Sequence, residues 1–198
     1  MNVVDKHLTF AYNPGLRHST NDIILHHAAG DGSVEDVHAY HRDVNQWAGI
    51  AYHFYVGKDG IAYRGRDIEW NGGHTQGRNY DSIGVCFEGN FEKEEMNEAQ
   101  LAAGKELMRY LHQLYPNAGI IGHRDANSTA CPGKNFPADA IISYAYAPDE
   151  EEASPWAKEA VQKWIDMGVL QGNGESCGFK EPITLERMIV LVERRLEA

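Results

Sequence analysis

Strand and helix patterns alternate along the first 147 residues, and this alternation restricts the chain to folds that pack helices against a sheet. Five short apolar runs predict strands, at 23–25, 51–56, 60–64, 82–87 and 120–121. Ser33 caps a predicted helix that reaches about Val44, and Asn97 begins an amphipathic helix that stops at Pro116. Interleaved elements of this kind predict an α/β fold with a mixed central β-sheet flanked by helices.

A change of pattern near residue 148 predicts a domain boundary. Pro148 is followed by four consecutive acids, Asp149 to Glu152, which favours an exposed linker. Two amphipathic helix patterns follow, beginning near Ser154 and Thr184, and each is too short to bury a core by itself. We therefore predict two domains, 1–147 and 148–198, the second a small C-terminal helical hairpin.

The charge balance argues against one class of partner. The chain has 18 Lys and Arg against 29 Asp and Glu, a formal net charge of −11. Phosphate backbones repel such a protein, so no nucleic-acid partner is expected. No apolar run reaches the ~18 residues that a membrane span needs, so no membrane insertion is expected either.

Histidines at strand ends and one cysteine turn are candidate metal ligands. His26 and His27 follow the first strand and point to opposite faces, so at most one of them can join a given site. His123 ends another strand, and Cys131 follows it in a Pro-Gly turn. A catalytic zinc keeps an open position beside three protein ligands. His26, His123 and Cys131 would supply those three, with water as the fourth; plain packing of these side chains is the alternative.

An ordered series of motifs carries a family resemblance across about residues 20 to 140. The motifs are His26-His27, Gly49-Ile-Ala-Tyr52-His-Phe54, Asp59-Gly60, Tyr63-Arg-Gly-Arg66, Gly73-His74, Asn79, Ser82-Ile-Gly84, Gly89-Asn-Phe91, and His123-Arg-Asp with Ala-Cys131-Pro-Gly. The ordered presence of so many blocks is far more specific than any one of them. Together the motifs resemble the type-2 N-acetylmuramoyl-L-alanine amidases, which include the amidase-type phage lysozymes and the peptidoglycan recognition proteins.

The resemblance implies zinc-dependent hydrolysis of the amide bond between N-acetylmuramic acid and L-alanine in peptidoglycan. It implies that His26, His123 and Cys131 are the zinc ligands. It also implies that Tyr52 assists catalysis, with Thr129 in support. Thr129 stands where the phage enzymes have a catalytically important lysine and the recognition proteins often have threonine.

Four residues in or beside the matching segments are predicted to contact the substrate: Trp47, Arg66, His74 and Asn79. Each has a structural alternative, such as Trp47 closing a helix end or Arg66 forming a surface ion pair. His38 and His41 lie at helical i, i+3 spacing and are expected to be helix-surface histidines.

Two further side chains on one strand face have structural interpretations. Cys86 stands where a related branch, the cytoplasmic recycling amidases, carries a catalytic glutamate, and we expect it to be a buried thiol. That branch also has aspartate in place of Cys131, so both positions favour the cysteine-containing branch. Glu88 is either an outer support of the site or a hydrogen-bond anchor.

The C-terminal segment contains four matching blocks, Trp156-Ala-Lys-Glu-Ala, Gly168-Val-Leu170, Phe179 and Pro182-Ile-Thr184. Together they resemble a single S-layer homology motif, a module that fastens proteins to cell-wall polysaccharides. Residues 154–198 are therefore expected to bind wall polysaccharide; the alternatives are packing on the amidase domain or a homo-oligomer that pools the motifs of three chains. Leu185 departs from the pattern, which usually has arginine there, and such modules usually come in threes.

The sequence as a whole predicts a peptidoglycan amidase, as a phage or prophage endolysin or an autolysin. The alternative is a non-catalytic peptidoglycan-binding protein on the same fold, although such proteins commonly lack the cysteine ligand that Cys131 provides here. Met1 to Phe10 have no apolar segment of a signal peptide. We therefore expect synthesis in the bacterial cytoplasm and action at the cell wall after release, or secretion by a non-standard route.

Overall fold

The structure is a computed structural model that describes residues 3–147 together with Glu159 and Lys163. Its internal contacts divide the chain into Met1–Ala145 and Tyr146–Ala198. The predicted linker, the helical hairpin and the S-layer-like motif lie outside the described residues, so the boundary at 147/148 stays a prediction. Among the described helices, none has the length and apolar character that crossing a membrane requires.

Six strands form one sheet, in the order β1-β4-β3-β5-β2-β6. β3 and β4 pair antiparallel as a hairpin, and every other neighbouring pair is parallel. The predicted mixed sheet is therefore confirmed. The strands are β1 Val3–Val4, β2 Asp22–His27, β3 Phe54–Val56, β4 Ala62–Arg64, β5 Ser82–Phe87 and β6 Gly119–Gly122.

The predicted cap of the first helix is present in full. The Ser33 hydroxyl accepts from the Asp36 backbone N–H at 3.1 Å, and the Asp36 carboxylate accepts from the Ser33 N–H at 3.0 Å. The α-helix passes into a five-residue π-helical segment that ends at the predicted position. The helices are α1 Val34–Ala39 with the π-helical Tyr40–Val44, α2 Glu98–Leu114, α3 His123–Ala126 and α4 Ala138–Tyr146.

The helices cover both faces of the sheet. On one face, Val34 of α1 packs into a cluster with Tyr55 and Cys86. On the other face, α2 lies so close to β5 that a Cβ at Gly104 would meet the Phe87 ring at 2.5 Å. Both faces are therefore buried, which explains the continuous apolar runs of the parallel strands.

Parallel pairing fixes where the candidate ligands emerge. β2 pairs in parallel with β6, with Leu25 opposite Gly122. His26 and His123 are the next residues along the sequence, so both lie at the same edge of the sheet. Ligand sites of open α/β sheets form at this carboxyl edge of the strands.

Candidate metal centre

Three side chains converge at the carboxyl edge of β2 and β6. His26 lies on β2, His123 begins α3 directly after β6, and Cys131 comes from the loop that follows α3. One nitrogen of each imidazole and the Cys131 sulfur all lie within 4.8 Å of one another. His27 points away from this cluster, and its Nδ1 accepts from the Phe91 backbone N–H at 3.2 Å.

The loop that carries Cys131 is held by backbone contacts on both sides of the cysteine. The Arg124 N–H donates to the Cys131 carbonyl at 2.9 Å, and the Arg124 guanidinium donates to the carbonyls of Ala130 and Gly133. The Thr129 hydroxyl accepts from the Cys131 N–H at 3.2 Å. These bonds fix the direction of the thiol toward His26.

The geometry of the three donors fits zinc. His26 Nδ1 lies 3.7 Å from Cys131 Sγ. In a tetrahedral zinc site the nitrogen and sulfur ligands lie roughly 3.6 Å apart, as Zn–N and Zn–S bonds of about 2.0 and 2.3 Å require. The backbone N–H of His27 points at the same sulfur at 3.5 Å, which favours a thiolate there.

The protonation states of the donors also suit a metal ion. Burial lowers the pKa of His26 well below its ordinary value, and burial lowers the pKa of His123 in the same direction. Both imidazoles are therefore neutral near pH 7, as metal ligands must be. Burial raises the pKa of the Cys131 thiol to about 11 without a cation, so metal binding there would release one proton.

Tyr52 lies beside the three donors. Its ring centroid is 5.2 Å from that of His26. Burial raises the pKa of the Tyr52 phenol far above its ordinary value, and the neighbouring Cys86 and Cys131 raise it further. The phenol therefore keeps its proton and can act as a hydrogen-bond donor. Cys86 itself is 0% exposed, which confirms the predicted buried thiol.

Of the four predicted substrate contacts, Trp47 is the one with a largely open ring. It is 42% exposed and lies 5.0 Å from the His41 ring, between centroids. Arg66 is only 4% exposed, and its guanidinium donates to the carbonyls of Ile50 at 2.7 Å and Asn71 at 2.6 Å. Arg66 is thus neither a surface ion pair nor open to a ligand; it holds two loops together.

The structure places His74 and Asn79 in contacts within the chain. The His74 ring is buried against His26, with His26 Nε2 and His74 Nδ1 3.0 Å apart. The Asn79 amide oxygen accepts from the backbone N–H groups of His74 and Thr75, at 2.8 and 2.9 Å. The polar atoms in these contacts are bonded within the chain, and a direct contact of either residue with substrate stays a prediction.

The prediction that His38 lies on the helix surface is wrong. His38 is 3% exposed; its Nε2 bonds to the Thr9 carbonyl at 3.0 Å and its Nδ1 accepts from the Ile50 N–H at 3.2 Å. His41 is partly buried, accepts from the Ala51 N–H at 3.1 Å, and lies 5.9 Å from Tyr52 between ring centroids. The i, i+3 spacing placed the two histidines on one face correctly, but that face points inward.

Glu88 follows its second interpretation, a hydrogen-bond anchor. Its two carboxylate oxygens accept from the backbone N–H groups of Gly32 and Lys58, at 3.1 and 2.8 Å. The carboxylate thereby ties the loop after β2 to the β3–β4 hairpin.

Comparison with known proteins agrees with this architecture. The sequence model of the family described as N-acetylmuramoyl-L-alanine amidase matches residues 17–134. Peptidoglycan-recognition protein SC2 of Drosophila melanogaster is 35% identical over 125 residues, which cover 57% of this chain and 68% of that protein. The endolysin of Enterobacteria phage K11 is 31% identical over 125 residues, covering 59% and 82%.

A solved structure shows the same fold. The N-acetylmuramoyl-L-alanine amidase LysC from Clostridium intestinale URNW superposes with a TM-score of 0.68 at 34% identity, covering 71% of this chain and 95% of that one. The family match alone spans more than half of the 198 residues, and it includes all three candidate ligands. The chain therefore belongs to the N-acetylmuramoyl-L-alanine amidase family.

Proposed function

We propose that this chain hydrolyses the amide bond between N-acetylmuramic acid and L-alanine in peptidoglycan, with a zinc ion held by His26, His123 and Cys131. The observation that carries the proposal is the convergence of their donor atoms to within 4.8 Å inside the family segment. A zinc ion at these ligands would supply Lewis acidity and a water activated near neutral pH. The reaction class follows the family and the relatives named endolysin and amidase.

The chain's own groups complete the chemistry. Tyr52 keeps its phenolic proton, so its O–H can donate to the carbonyl oxygen of the scissile amide as negative charge develops there. The Thr129 oxygen accepts from the Cys131 N–H, so the hydroxyl proton is not used in that bond. In this proposal Thr129 supports the polarising role of Tyr52.

Trp47 is the proposed contact for the sugar or peptide beside the site. Its exposed ring stands next to His41, which in turn lies beside Tyr52. A large, half-open aromatic surface at this position can cover an apolar sugar face at little entropic cost. Arg66, His74 and Asn79 make their contacts within the chain instead.

The biological setting is proposed from sequence. Peptidoglycan is the partner of the amidase domain, and residues 154–198 are proposed to bind wall polysaccharide or to form a homo-oligomer. An endolysin or autolysin made in the cytoplasm and released to the wall fits this combination. A monomeric mass in solution would remove the oligomer version.

The second candidate is a non-catalytic peptidoglycan-binding protein. It is favoured by the relatives named peptidoglycan-recognition proteins, one of which was solved as an ectodomain complex bound to tracheal cytotoxin. The presence of all three donors within bonding range of one ion favours the enzyme. The two candidates differ in one outcome, bond cleavage.

Digestion of purified peptidoglycan separates the candidates. The zinc-loaded protein should leave the glycan strands intact and release stem peptides that begin with L-alanine, as identified by mass spectrometry. Chelator-treated protein should release none until zinc is restored. Binding of the wall without new ends, with zinc present, would reject the amidase and support the recognition protein.

A further inference from the structure

We propose that His74 is a positioning residue that holds the proton of His26 on Nε2 and so leaves Nδ1 available to the metal ion. The inference rests on the metal site of the proposed function. The two nitrogens of His26 face different partners: Nδ1 lies 3.7 Å from Cys131 Sγ, and Nε2 lies 3.0 Å from His74 Nδ1. The metal side and the His74 side of this ring are therefore distinct.

Proton counting assigns the direction of the bond between the rings. A neutral imidazole carries one proton, and the nitrogen that binds a metal must be the one without it. Because Nδ1 of His26 faces the thiol, the proton belongs on Nε2, which then donates to His74 Nδ1. Metal-ligating histidines commonly donate their second N–H to such a partner, which fixes the tautomer and the ring orientation.

The Thr75 hydroxyl lies at the same junction. Thr75 Oγ1 lies 2.9 Å from His74 Nδ1 and 3.4 Å from His26 Nε2. Among the described residues, His74 Nε2 is buried and has no hydrogen-bond partner. The polar contacts of the His74 side chain therefore all run through Nδ1, toward His26 and Thr75. With Nδ1 as the acceptor, the one proton of a neutral His74 ring lies on this unpaired Nε2.

The fold makes a specific slot for the His74 ring. A Cβ at Gly72 or at Gly84 would lie only 2.4 Å from His74 Cδ2. Gly84 belongs to β5, so the ring sits directly on the sheet beside the strand that carries His26. The Asn79 side-chain oxygen holds the turn at His74 by accepting from the backbone N–H groups of His74 and Thr75. His74 and Asn79, which were predicted to contact the substrate, thus place one acceptor, His74 Nδ1, beside the proposed metal ligand His26.

The test compares zinc affinity in three variants, measured by competition with a chelator of known affinity. His74→Leu removes the acceptor and should weaken zinc binding by about 10–100-fold, the usual cost of losing such a partner. His74→Asn places an amide oxygen near the position of Nδ1 and should recover most of that loss. His38→Gln is the matched control, a buried histidine with no contact to the three ligands, and should bind zinc like the wild type. Equal zinc affinity of folded His74→Leu and wild type would overturn the inference.

A second measurement needs no variant. The ring ¹⁵N shifts of His26 in the metal-free wild-type protein should show the Nε2–H tautomer before zinc is added. The Nδ1–H tautomer would overturn the inference even if His74→Leu failed to fold. The outcomes remain separable from the proposed function: a wild type that binds no zinc contradicts that function, whereas zinc binding that is indifferent to His74 contradicts only the positioning role.

Discussion

Two pairs of histidines in this protein, His26 with His123 and His38 with His41, differ in what their rings contact. His38 uses both ring nitrogens on backbone groups, the Thr9 carbonyl and the Ile50 N–H. His26 instead turns one nitrogen to Cys131 and the other to a second histidine. Burial does not distinguish the pairs, since His26 and His38 are 1% and 3% exposed.

The difference teaches that a histidine becomes a metal ligand through the partners of its two nitrogens. A ring whose nitrogens both serve the backbone closes a loop and stabilises the fold. A ring with one nitrogen facing a thiol and the other nitrogen facing a second imidazole can bind a cation. The comparison predicts that removing a ligand at the His26 site affects zinc and turnover, whereas removing the His38 ring affects stability alone.

The largest effect is expected from Cys131→Ser. The hydroxyl is a poor zinc ligand in place of a thiolate, so zinc affinity should collapse and turnover should fall by more than about a thousandfold. Zinc content after dialysis and release of stem peptides from peptidoglycan check this. Cys86→Ser is the matched control, because Cys86 is a buried thiol that is not one of the three proposed ligands. This variant should keep one zinc per chain. A Cys131→Ser protein with wild-type turnover would break the comparison.

Tyr52→Phe should separate chemistry from metal binding. The change removes only the phenolic O–H, and losing one donor to the developing oxyanion costs about 10²–10³ in turnover. Zinc content should stay at the wild-type level. Steady-state kinetics on peptidoglycan fragments, with zinc quantified in the same samples, measures both. Full activity would remove Tyr52 from the mechanism.

Acid should destabilise the metal-free protein before its carboxylates titrate. Burial lowers the pKa of His53 to about 3 and that of His41 to about 4, from an ordinary value of 6.5. The unfolded chain takes up these protons below pH 6.5 and the folded chain does not, so stability falls as the pH drops from 6.5 toward 4. The slope is at most about 1.4 kcal/mol per pH unit for the fully buried His53, and it is smaller for the partly buried His41 because solvent screens that ring. Urea titrations at pH 7, 6 and 5 check this; a constant free energy of unfolding would contradict it.

The smallest effect is expected from His38→Gln. The glutamine amide can replace one of the two backbone bonds of the ring and leaves the other group unpaired, which costs about 1–2 kcal/mol. Urea unfolding of the metal-free protein measures the loss, and zinc affinity should not change. Loss of zinc by this variant would show that the two histidine pairs are not independent.

Much of the fold was predictable because its signals are local. The cap of α1, the long amphipathic α2 and the apolar cores of β2, β5 and β6 all follow from short sequence windows. β1 Val3–Val4 has only two residues and is defined by its pairing with β4, which no local pattern shows. The four-residue α3 and the α4 helix were likewise not predicted, since α3 is a single turn and α4 borders the supposed linker.

The candidate site was likewise predictable from the sequence only in part. His26, His123 and Cys131 were found because motif order carries information about position at strand ends and turns. The contacts of Arg66 and His74 were not foreseen, because their partners are carbonyls and a ring nitrogen distant in sequence. A single polar residue in a motif does not reveal whether it faces the substrate or supports the residue that does.

The central claim is that one zinc ion is bound by two imidazoles and one thiolate at the edge of β2 and β6. X-ray absorption at the zinc edge of the reconstituted protein tests it most directly. The account predicts one zinc per chain with one sulfur at about 2.3 Å and two nitrogens at about 2.0–2.1 Å, completed by a light-atom ligand. A zinc ion without a sulfur neighbour, or a protein that retains no zinc, would contradict it.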